Sequence, residues 1–383
     1  MFQILAEAKD LEEAGEDIIH FEIGDPDFDT PANIVEAAVN ALRDGDTHYT
    51  PSSGLRSFKV AAAEMTLRSR GFRPDANQIL VTQGGNIQIY YAIACTVNPG
   101  EEVLTIDPCF VSYRSIMKLL GVIPVSVPLF EENGFRLRPA DLEKAITANT
   151  RMILINSPHN PTGAVLRESE MKAIYDLAVK HDIYLLSDEV YGRMIYEEGD
   201  VNFSSPSMYD QCKERTIMIH SFSKSYAMTG WRIGAMTAPA ELVSKMGLLL
   251  ETTTSCVSPF VQAAAIEAMT SGQENVAAMI EKFRERRNLI VGMLNNIKGV
   301  SCIMPQGAFY AFANVTKSGM SDVEFCEYIL REAGVAACPG SFFGEQGEGY
   351  VRFCYATSAA NIERGMERLQ SLLGRTDEMS TNR

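Results

Sequence analysis

Short apolar segments alternate with helical patterns through the first two thirds of this chain. Seven segments are typical of buried strands, near residues 79–82, 102–106, 123–127, 152–156, 183–187, 216–220 and 233–237. Strands that alternate with helices favour a largely parallel sheet with crossover helices on its faces. In such sheets a ligand binds at the carboxyl ends of the strands. The alternation therefore predicts an α/β fold and directs the search for a site to one edge of the sheet.

The segment near 216–220 ends in two hydroxyl side chains and a lysine. Ser221 and Ser223 stand before Lys224, and Arg232 follows eight residues after the lysine. Small hydroxyls and an arginine suit a bound phosphate, which leaves the lysine amine free to act as a nucleophile. An amine beside an anchored phosphate is what a Schiff base with pyridoxal phosphate requires. An isolated lysine is usually a solvated residue on a turn, so this prediction depends on the other strand ends.

Polar residues also follow three other predicted strands. Two prolines and a glycine make the loop at 156–163 rigid, although its N-P-T-G segment alone indicates only a turn. Asp188 ends a further strand, where it could cap a helix or, if buried, pair with a protonated pyridine nitrogen. The Gly84-Gly85-Asn86 turn joins a strand to a helix, and its bare amides suit an anion. All four polar stretches lie at the edge where a parallel sheet binds ligands.

Together these stretches resemble the class I and II aminotransferases, which are pyridoxal phosphate enzymes of fold-type I. The family's N-P-T-G, D-E-V-Y, S-x-S-K and G-W-R-I-G motifs occur in order at 160–163, 188–191, 221–224 and 230–234. Segments at 21–31, 49–54, 306–310 and 350–356 also resemble family motifs. The resemblance therefore covers nearly the whole chain.

The resemblance implies a fold-type I transferase of two domains. A mostly parallel seven-stranded sheet is expected in a large cofactor-binding domain at 31–279, with a smaller α/β domain formed by 1–30 and 280–383. Helical patterns over 262–297, broken near Ser271-Gly272, are expected to link the two. Strands near 309–313 and 350–355 and a helix over 322–333 are expected in the smaller domain.

The same resemblance assigns roles around the cofactor. Lys224 would form the Schiff base and then move the substrate proton, Asp188 would keep the pyridine nitrogen protonated, and Tyr191 would donate to the phenolate oxygen. Further cofactor contacts are expected at Gly84, Gly85, Asn86, Phe110, Asn160, Ser221, Ser223 and Arg232. Phe110 would stack on the ring, Asn160 would join Tyr191 at the phenolate, and the others would hold the phosphate. Tyr49 is expected to reach the phosphate of a neighbouring subunit, which implies a homodimer with shared sites.

The substrate carboxylate is assigned to Arg352, since a guanidinium binds a carboxylate in a two-pronged fork. Gly24 would line the same pocket, where a side chain would block the carboxylate, and Asn156 and Asn160 would add contacts. Asn86 stands where many relatives with acidic substrates have a lysine, which argues against aspartate. The chain begins close to its 21–31 segment, which leaves open whether the mouth of the site is open or covered by another loop.

The implied function is transfer of an amino group between an α-amino acid and an α-keto acid, with glutamate and 2-oxoglutarate as one pair. Two alternatives remain at this point. A C–S β-lyase acting on a cysteine-type substrate would use the same Lys224, Asp188 and Arg352. A non-enzymatic cofactor-binding regulator is disfavoured, because the motifs occupy the chain and leave no segment for a DNA-binding domain.

The net charge and the cysteine pattern limit which binding partners and which cellular compartment are expected. With 34 basic and 49 acidic residues the net charge is −15, so neither nucleic acid nor an anionic membrane is an expected partner. No apolar run reaches the roughly 20 residues that cross a bilayer, and no secretory signal pattern is present. The eight cysteines occur singly, without metal-binding spacing. These features predict a cytoplasmic protein with small-molecule partners and no metal site.

Overall fold

The computed structural model describes residues 2–196, 199 and 201–380. The strands are β1 Ile19–His20, β2 Ile79–Thr82, β3 Glu102–Asp107, β4 Ile123–Pro128, β5 Thr150–Asn156, β6 Tyr184–Asp188, β7 Thr216–Ser221, β8 Gly234–Thr237, β9 Ser301–Cys302, β10 Tyr310–Asn314, β11 Val335–Ala336, β12 Cys338–Pro339 and β13 Tyr350–Cys354. The helices are α1 Phe2–Glu13, α2 Ala32–Arg43, α3 Arg56–Arg70, α4 Asn86–Thr96, α5 Val111–Leu119, α6 Pro139–Ala145, α7 Glu168–Lys180, α8 Ser207–Asp210, α9 Phe222–Ser225, α10 Ala240–Thr253, α11 Pro259–Thr270, α12 Glu274–Asn295, α13 Asp322–Ala333 and α14 Ala359–Ser380.

Seven strands form the main sheet, in the order β2-β8-β7-β6-β5-β3-β4. β8 runs antiparallel to both of its neighbours, and the other adjacent strands are parallel. The mostly parallel seven-stranded α/β sheet expected from the sequence is thereby confirmed. The ends of β5, β6 and β7 lie side by side, which brings their polar residues to one edge.

The middle residues of the central strands β5, β6 and β7 are apolar and buried. Leu154 on β5, Leu186 on β6 and Ile217 on β7 are all fully buried. Parallel strands buried on two faces have continuous apolar sequences rather than alternating ones. This burial holds the strand ends rigidly, so the polar residues that follow them have little freedom to move.

A second, four-stranded antiparallel sheet, β12-β13-β10-β9, packs with α12 and α13, and α14 packs against these two helices. α13 occupies the predicted 322–333: Ser321 and Glu324 form a capping box at its start, and Gly334 ends it in the left-handed conformation. The predicted break in the long helical run lies between the end of α11 at Thr270 and the start of α12 at Glu274. The division into domains at 31–279 stays a prediction.

In the described part of the chain, none of the helices combines the length and apolar character needed to cross a membrane.

Candidate active site

A cavity of about 180 Å³ lies at the carboxyl ends of β5, β6 and β7. Most of the residues that the sequence analysis assigned to the cofactor or to the substrate line it. These are Gly85, Asn86, Phe110, Asn156, Asn160, Asp188, Tyr191, Ser221, Ser223, Lys224 and Arg232. Ile89, Tyr113, Val190 and Thr229 complete the lining and were not assigned from the sequence. The structure thus brings distant motifs together around one space.

Four other predicted residues lie outside this lining. Gly24 contacts the site through its carbonyl oxygen, which accepts a hydrogen bond of 2.5 Å from Lys224 Nζ. Arg352 lies behind Asn160 and donates to its Oδ1 at 3.0 Å. Gly84 packs against Arg232. Tyr49 is 89% exposed and has no place in the cavity of its own chain.

Lys224 lies one residue before the end of α9, directly after the buried strand β7. Ser221 caps this short helix by accepting a hydrogen bond of 3.2 Å from the Ser223 backbone N–H. Burial lowers the pKa of the Lys224 amine, whereas the nearby carboxylate of Asp25 acts in the opposite sense. A lowered pKa raises the fraction of free amine, which is the form that attacks a carbonyl.

Asp188 is a buried carboxyl at the end of β6. Tyr113 Oη donates to its Oδ2 at 2.6 Å, and the Val190 backbone N–H donates to its Oδ1 at 3.1 Å. Burial raises the pKa of Asp188 to about 6, although both hydrogen bonds act to lower it. No cation pairs with this carboxyl among the residues that the structure describes. A buried acid of this kind is well suited to a cationic ring nitrogen.

Tyr113 was missed by the sequence analysis, although a signal for it exists. It lies in the first turn of α5, three residues after Phe110, which is the N-cap of that helix. The two rings contact edge to face, with centroids 5.6 Å apart. An aromatic predicted to stack on a ligand therefore marks its third neighbour as a candidate for the same site.

Tyr310 ends the 306–310 segment that resembles a family motif, but no role was predicted for it. Its Oη lies 2.7 Å from Tyr191 Oη, and its ring lies 4.5 Å from the Arg352 guanidinium carbon. A Cβ at Gly24 would lie 2.0 Å from Tyr310 Oη. The structure therefore supplies a second reason for glycine at 24: a side chain there would displace Tyr310, which contacts both Tyr191 and Arg352.

Asn156, at the end of β5, forms hydrogen bonds to the end of β6 and to the loop that follows β5. Its Nδ2 donates to the Asp188 carbonyl oxygen at 2.9 Å, and its Oδ1 accepts from the Asn160 backbone N–H at 2.9 Å. An asparagine amide has two N–H donors and two oxygen lone pairs. One of each remains for a ligand, so the predicted contact of Asn156 with a substrate carboxylate stays a prediction.

The turn between β2 and α4 forms a cradle beside Arg232. Gly84 has φ of +81°, and a Cβ built on it would lie 2.4 Å from Arg232 Nη2. Arg232 Nη1 donates to the Thr229 carbonyl oxygen at 2.8 Å. α4 starts at Asn86, so its unpaired N-terminal amides face this region. Free amides, a guanidinium and serine hydroxyls are the donor set that a phosphate requires.

The chain matches the family described as aminotransferase class I and II over residues 16–369. It belongs to this family. The match spans most of the chain, so family membership does not depend on the four motifs alone. Class I and II aminotransferases use pyridoxal phosphate, and this protein is a pyridoxal phosphate-dependent aminotransferase.

Named relatives and a solved structure agree with this assignment. The chain is 43% identical over 367 residues to aromatic-amino-acid aminotransferase 2 of Thermococcus litoralis, covering 95% of this chain and 94% of that protein. It is 42% identical to an aspartate aminotransferase of Pyrococcus horikoshii, covering 94% and 91% of the two chains. The crystal structure of the aromatic aminotransferase of Pyrococcus horikoshii superposes with a TM-score of 0.92 at 40% identity, covering 97% of this chain and 99% of that one.

The residues of this aminotransferase fit the cofactor on structural grounds. Asp188 is a buried carboxyl without a cationic partner in the described part of the chain, which suits a protonated ring nitrogen. A Cβ at Gly84 would overlap the Arg232 guanidinium, so glycine at this position lets the turn lie directly against a donor that suits a phosphate. Lys224 lines the same cavity as Asp188 and as Gly85 and Asn86 of the turn.

Proposed function

We propose that this aminotransferase moves the amino group of an aromatic or other large apolar amino acid to 2-oxoglutarate. The observation that carries the proposal is the character of the cavity wall. Ile89, Phe110 and Val190 line it, and so does Asn86, at the position where many relatives with acidic substrates have a lysine. The Asn86 amide is uncharged, so it lacks the positive charge with which a lysine would favour a second substrate carboxylate over an apolar side chain. The Thermococcus litoralis relative named for aromatic amino acids supports the same donor class.

Bound pyridoxal phosphate would supply an aldehyde that takes up the amino group and a ring that withdraws electrons from the substrate Cα. Lys224 is proposed as its attachment point and as the group that takes the proton from the substrate Cα. Asp188 is proposed to hold the proton on the ring nitrogen. Asn160 and Tyr191 are proposed to donate to the ring oxygen. A lysine with a lowered pKa is suited to act as a base near neutral pH.

Arg352 is proposed to bind the α-carboxylate together with Asn160. The guanidinium is buried, with the rings of Tyr310 and Phe343 at 4.5 and 4.6 Å, and it donates to the Glu22 carbonyl oxygen at 2.6 Å. Aromatic rings on both sides hold the guanidinium plane in one orientation. A fixed fork of donors at this position recognises the carboxylate that all α-amino acids share.

The enzyme is further proposed to act as a homodimer in the cytoplasm. Tyr49 supports the dimer, because an aromatic side chain that is 89% exposed lies on a segment rigidified by proline and glycine. In a dimer this side chain would reach the phosphate site of the neighbouring subunit. The cytoplasmic location is proposed from the eight single cysteines, all of which are free thiols.

The test is a panel of amino donors with the purified holoenzyme and 2-oxoglutarate. We expect glutamate and the matching keto acid to form in equal amounts. We expect kcat/KM to be higher for phenylalanine and tyrosine than for aspartate, with Lys224→Ala as the inactive control. A higher kcat/KM for aspartate would contradict the donor class. Release of pyruvate and ammonia from a cysteine-type substrate, without need of a keto acid, would identify the enzyme as a β-lyase instead.

A further inference from the structure

A second cavity, of about 480 Å³, lies behind the turn that carries Lys224. It shares no lining residue with the active-site cavity. The end of α3, the turn that follows β6, and the helices α11 and α12 enclose it. Its walls are apolar where Met65, Met269 and Ile280 face it. The volume lies within the range of roughly 300–1,000 Å³ that small-molecule sites occupy.

His220 forms a polar part of this cavity wall. On β7 successive side chains point to opposite faces, so Ser221 lines the active-site cavity and His220 lines the second cavity. The His220 residue is 4% exposed. Within the residues that the structure describes, neither of its ring nitrogens has a hydrogen-bond partner. Buried polar atoms nearly always have partners, so this imidazole requires a ligand or an ordered water in the cavity.

Two guanidiniums of this cavity have no acidic partner in the part of the chain that the structure describes. Arg193 donates to Tyr226 Oη and, at 2.5 Å, to Gln273 Oε1, both of which are neutral. Arg68 donates to the Met269 carbonyl oxygen at 2.7 Å. Across residues 2–196, 199 and 201–380, neither guanidinium forms an ion pair. Arg70 differs, because Glu189 pairs with it at 2.5 Å.

We propose that this second cavity binds a small monocarboxylate with an apolar body. The carboxylate would lie between the guanidinium of Arg193 and the imidazole of His220, with Arg68 at the exposed mouth. The apolar body would pack against Met65, Met269 and Ile280. A phosphate lacks the apolar body that these walls require, and a dicarboxylate would place a second charge against them.

The protonation state of the imidazole agrees with this arrangement. Burial and the charges of Arg70 and Arg193 lower the pKa of His220 to about 3. The ring is therefore neutral near pH 7 and offers one N–H donor and one acceptor nitrogen. The donor suits a carboxylate oxygen, and the two guanidiniums supply the positive charge that a neutral ring lacks.

The site lies close to the reaction centre along the chain. Tyr226 follows Lys224 by two residues, and Arg193 follows Tyr191 by two residues. A ligand in the second cavity would therefore contact the segments that carry the proposed nucleophile and a proposed cofactor contact, without touching the substrate. The proposal goes beyond the aminotransferase activity and does not depend on which amino acid the enzyme uses.

The test uses 4-bromophenylacetate as the probe, because bromine can be located in crystals by anomalous scattering. Holoenzyme crystals grown with the probe should show bromine in the second cavity, with the carboxylate facing Arg193 and His220. Calorimetric titration in solution should show a binding event that Arg193→Gln weakens by about tenfold or more, as expected for the loss of a hydrogen bond to a charged group. Arg68→Gln, at the exposed mouth, should weaken the same event and guards against misfolding of the Arg193 variant.

The matched control is Arg138→Gln, an exposed arginine that pairs with Glu132 outside the second cavity. It should bind the probe as the unaltered enzyme does. Bromine found only above Lys224, or found nowhere, would overturn the proposal. An unchanged affinity in both Arg193→Gln and Arg68→Gln would overturn it as well.

Discussion

At the scale of single residues, Asp188 shows how burial makes a carboxyl useful. Its pKa is raised to about 6 by burial, and Tyr113 and the Val190 N–H hold it in one orientation. A charged carboxylate in such a position stabilises a cation strongly, because little water competes with it. Asp188 is therefore better suited to stabilising a bound cationic ring than to stabilising the folded protein by itself.

Replacing Asp188 with asparagine tests this role. We expect Asp188→Asn to fold and to bind pyridoxal phosphate, while kcat falls on the order of 10³-fold, because an amide cannot hold the proton on the ring nitrogen. Steady-state kinetics with saturating substrates would measure the loss. Asp210→Asn is the control, since Asp210 is also buried but accepts hydrogen bonds from the backbone N–H groups of Cys212, Arg215 and Thr216. A kcat for Asp188→Asn within tenfold of the unaltered enzyme would show that Asp188 is not the partner of the ring.

At the scale of elements, the turn between β2 and α4 has a backbone that only glycine adopts easily. Gly84 has φ of +81°, a value that costs other residues free energy. The Arg232 guanidinium fills the space that a side chain at position 84 would occupy, so the turn and the guanidinium form one unit. The unit places the N-terminus of α4 beside an arginine from the segment after Lys224.

Gly84→Ala tests this unit. The new methyl group would move the Arg232 guanidinium and strain the turn, so we expect the dissociation constant for pyridoxal phosphate to rise by about tenfold or more. The free energy of unfolding should fall by about 1–3 kcal/mol. Cofactor titration followed by absorbance, and denaturation of the cofactor-free protein, would measure the two effects. Gly230→Ala is the matched control, because a Cβ at Gly230 meets nothing within 4 Å. Equal cofactor affinities for the two variants would contradict the cradle.

His20, on β1, lies between two acidic side chains, and one of them belongs to α1. His20 Nδ1 lies 2.7 Å from Glu22 Oε1, and His20 Nε2 lies 3.0 Å from Glu12 Oε1. The hydrogen bond to Glu22 is the main cause that raises the pKa of His20 to about 9 from 6.5. Glu22 is fully buried, and its backbone oxygen accepts a hydrogen bond from Arg352. The contacts of His20 with Glu12 and Glu22 therefore join the N-terminal helix to the segment that contacts Arg352.

This pair predicts a pH dependence of stability. Because the pKa of His20 is higher in the folded chain, its contribution is fully present below about pH 6.5 and is lost as the pH rises through 9. We expect the free energy of unfolding of His20→Gln to approach that of the unaltered protein as the pH rises across this window. Urea denaturation at several pH values would show it. His48→Gln, at an exposed histidine, should follow the unaltered protein throughout. A constant difference for His20→Gln from pH 6 to 9.5 would exclude the ion pair as its cause.

At the scale of the whole molecule, Tyr49 is a predicted site residue that lies outside the cavity of its own chain. Tyr49 is 89% exposed, and tyrosine is enriched in the interfaces between protein subunits. The proposal of a shared site explains this exposure. It also makes the smallest active unit a dimer, in which each site takes Lys224 from one subunit and Tyr49 from its neighbour.

Mixed dimers test the shared site. Tyr49→Ala and Lys224→Ala should each be inactive alone, whereas a mixture should regain activity after subunit exchange. Random exchange makes half of the dimers hybrid, and each hybrid has one intact site, so about a quarter of the original activity is expected. The control mixes Lys224→Ala with Asp188→Asn, which removes two residues of the same subunit's site and should restore nothing further. If the first mixture stays inactive after exchange has been demonstrated by mass spectrometry, the two residues do not act across an interface.

The sequence alone determined where the strands of the main sheet lie along the chain and which residues follow them. Lys224, Asp188 and the Gly84 turn were predicted because strand, turn and helix signals are local, and the carboxyl ends of parallel strands meet at one edge. Capping residues determined α13 to the residue for the same reason. These features depend on neighbours within a few positions of the chain.

Only the tertiary structure decided which distant side chains meet. Tyr113 reaches Asp188 across 75 positions of the chain, Tyr310 reaches Tyr191 across 119, and Lys224 reaches the Gly24 carbonyl across 200. The antiparallel direction of β8 and the cavity behind His220 likewise depend on how whole elements pack. Such contacts follow from the three-dimensional path of the chain, because a side chain's sequence neighbours do not specify which element will pack against it.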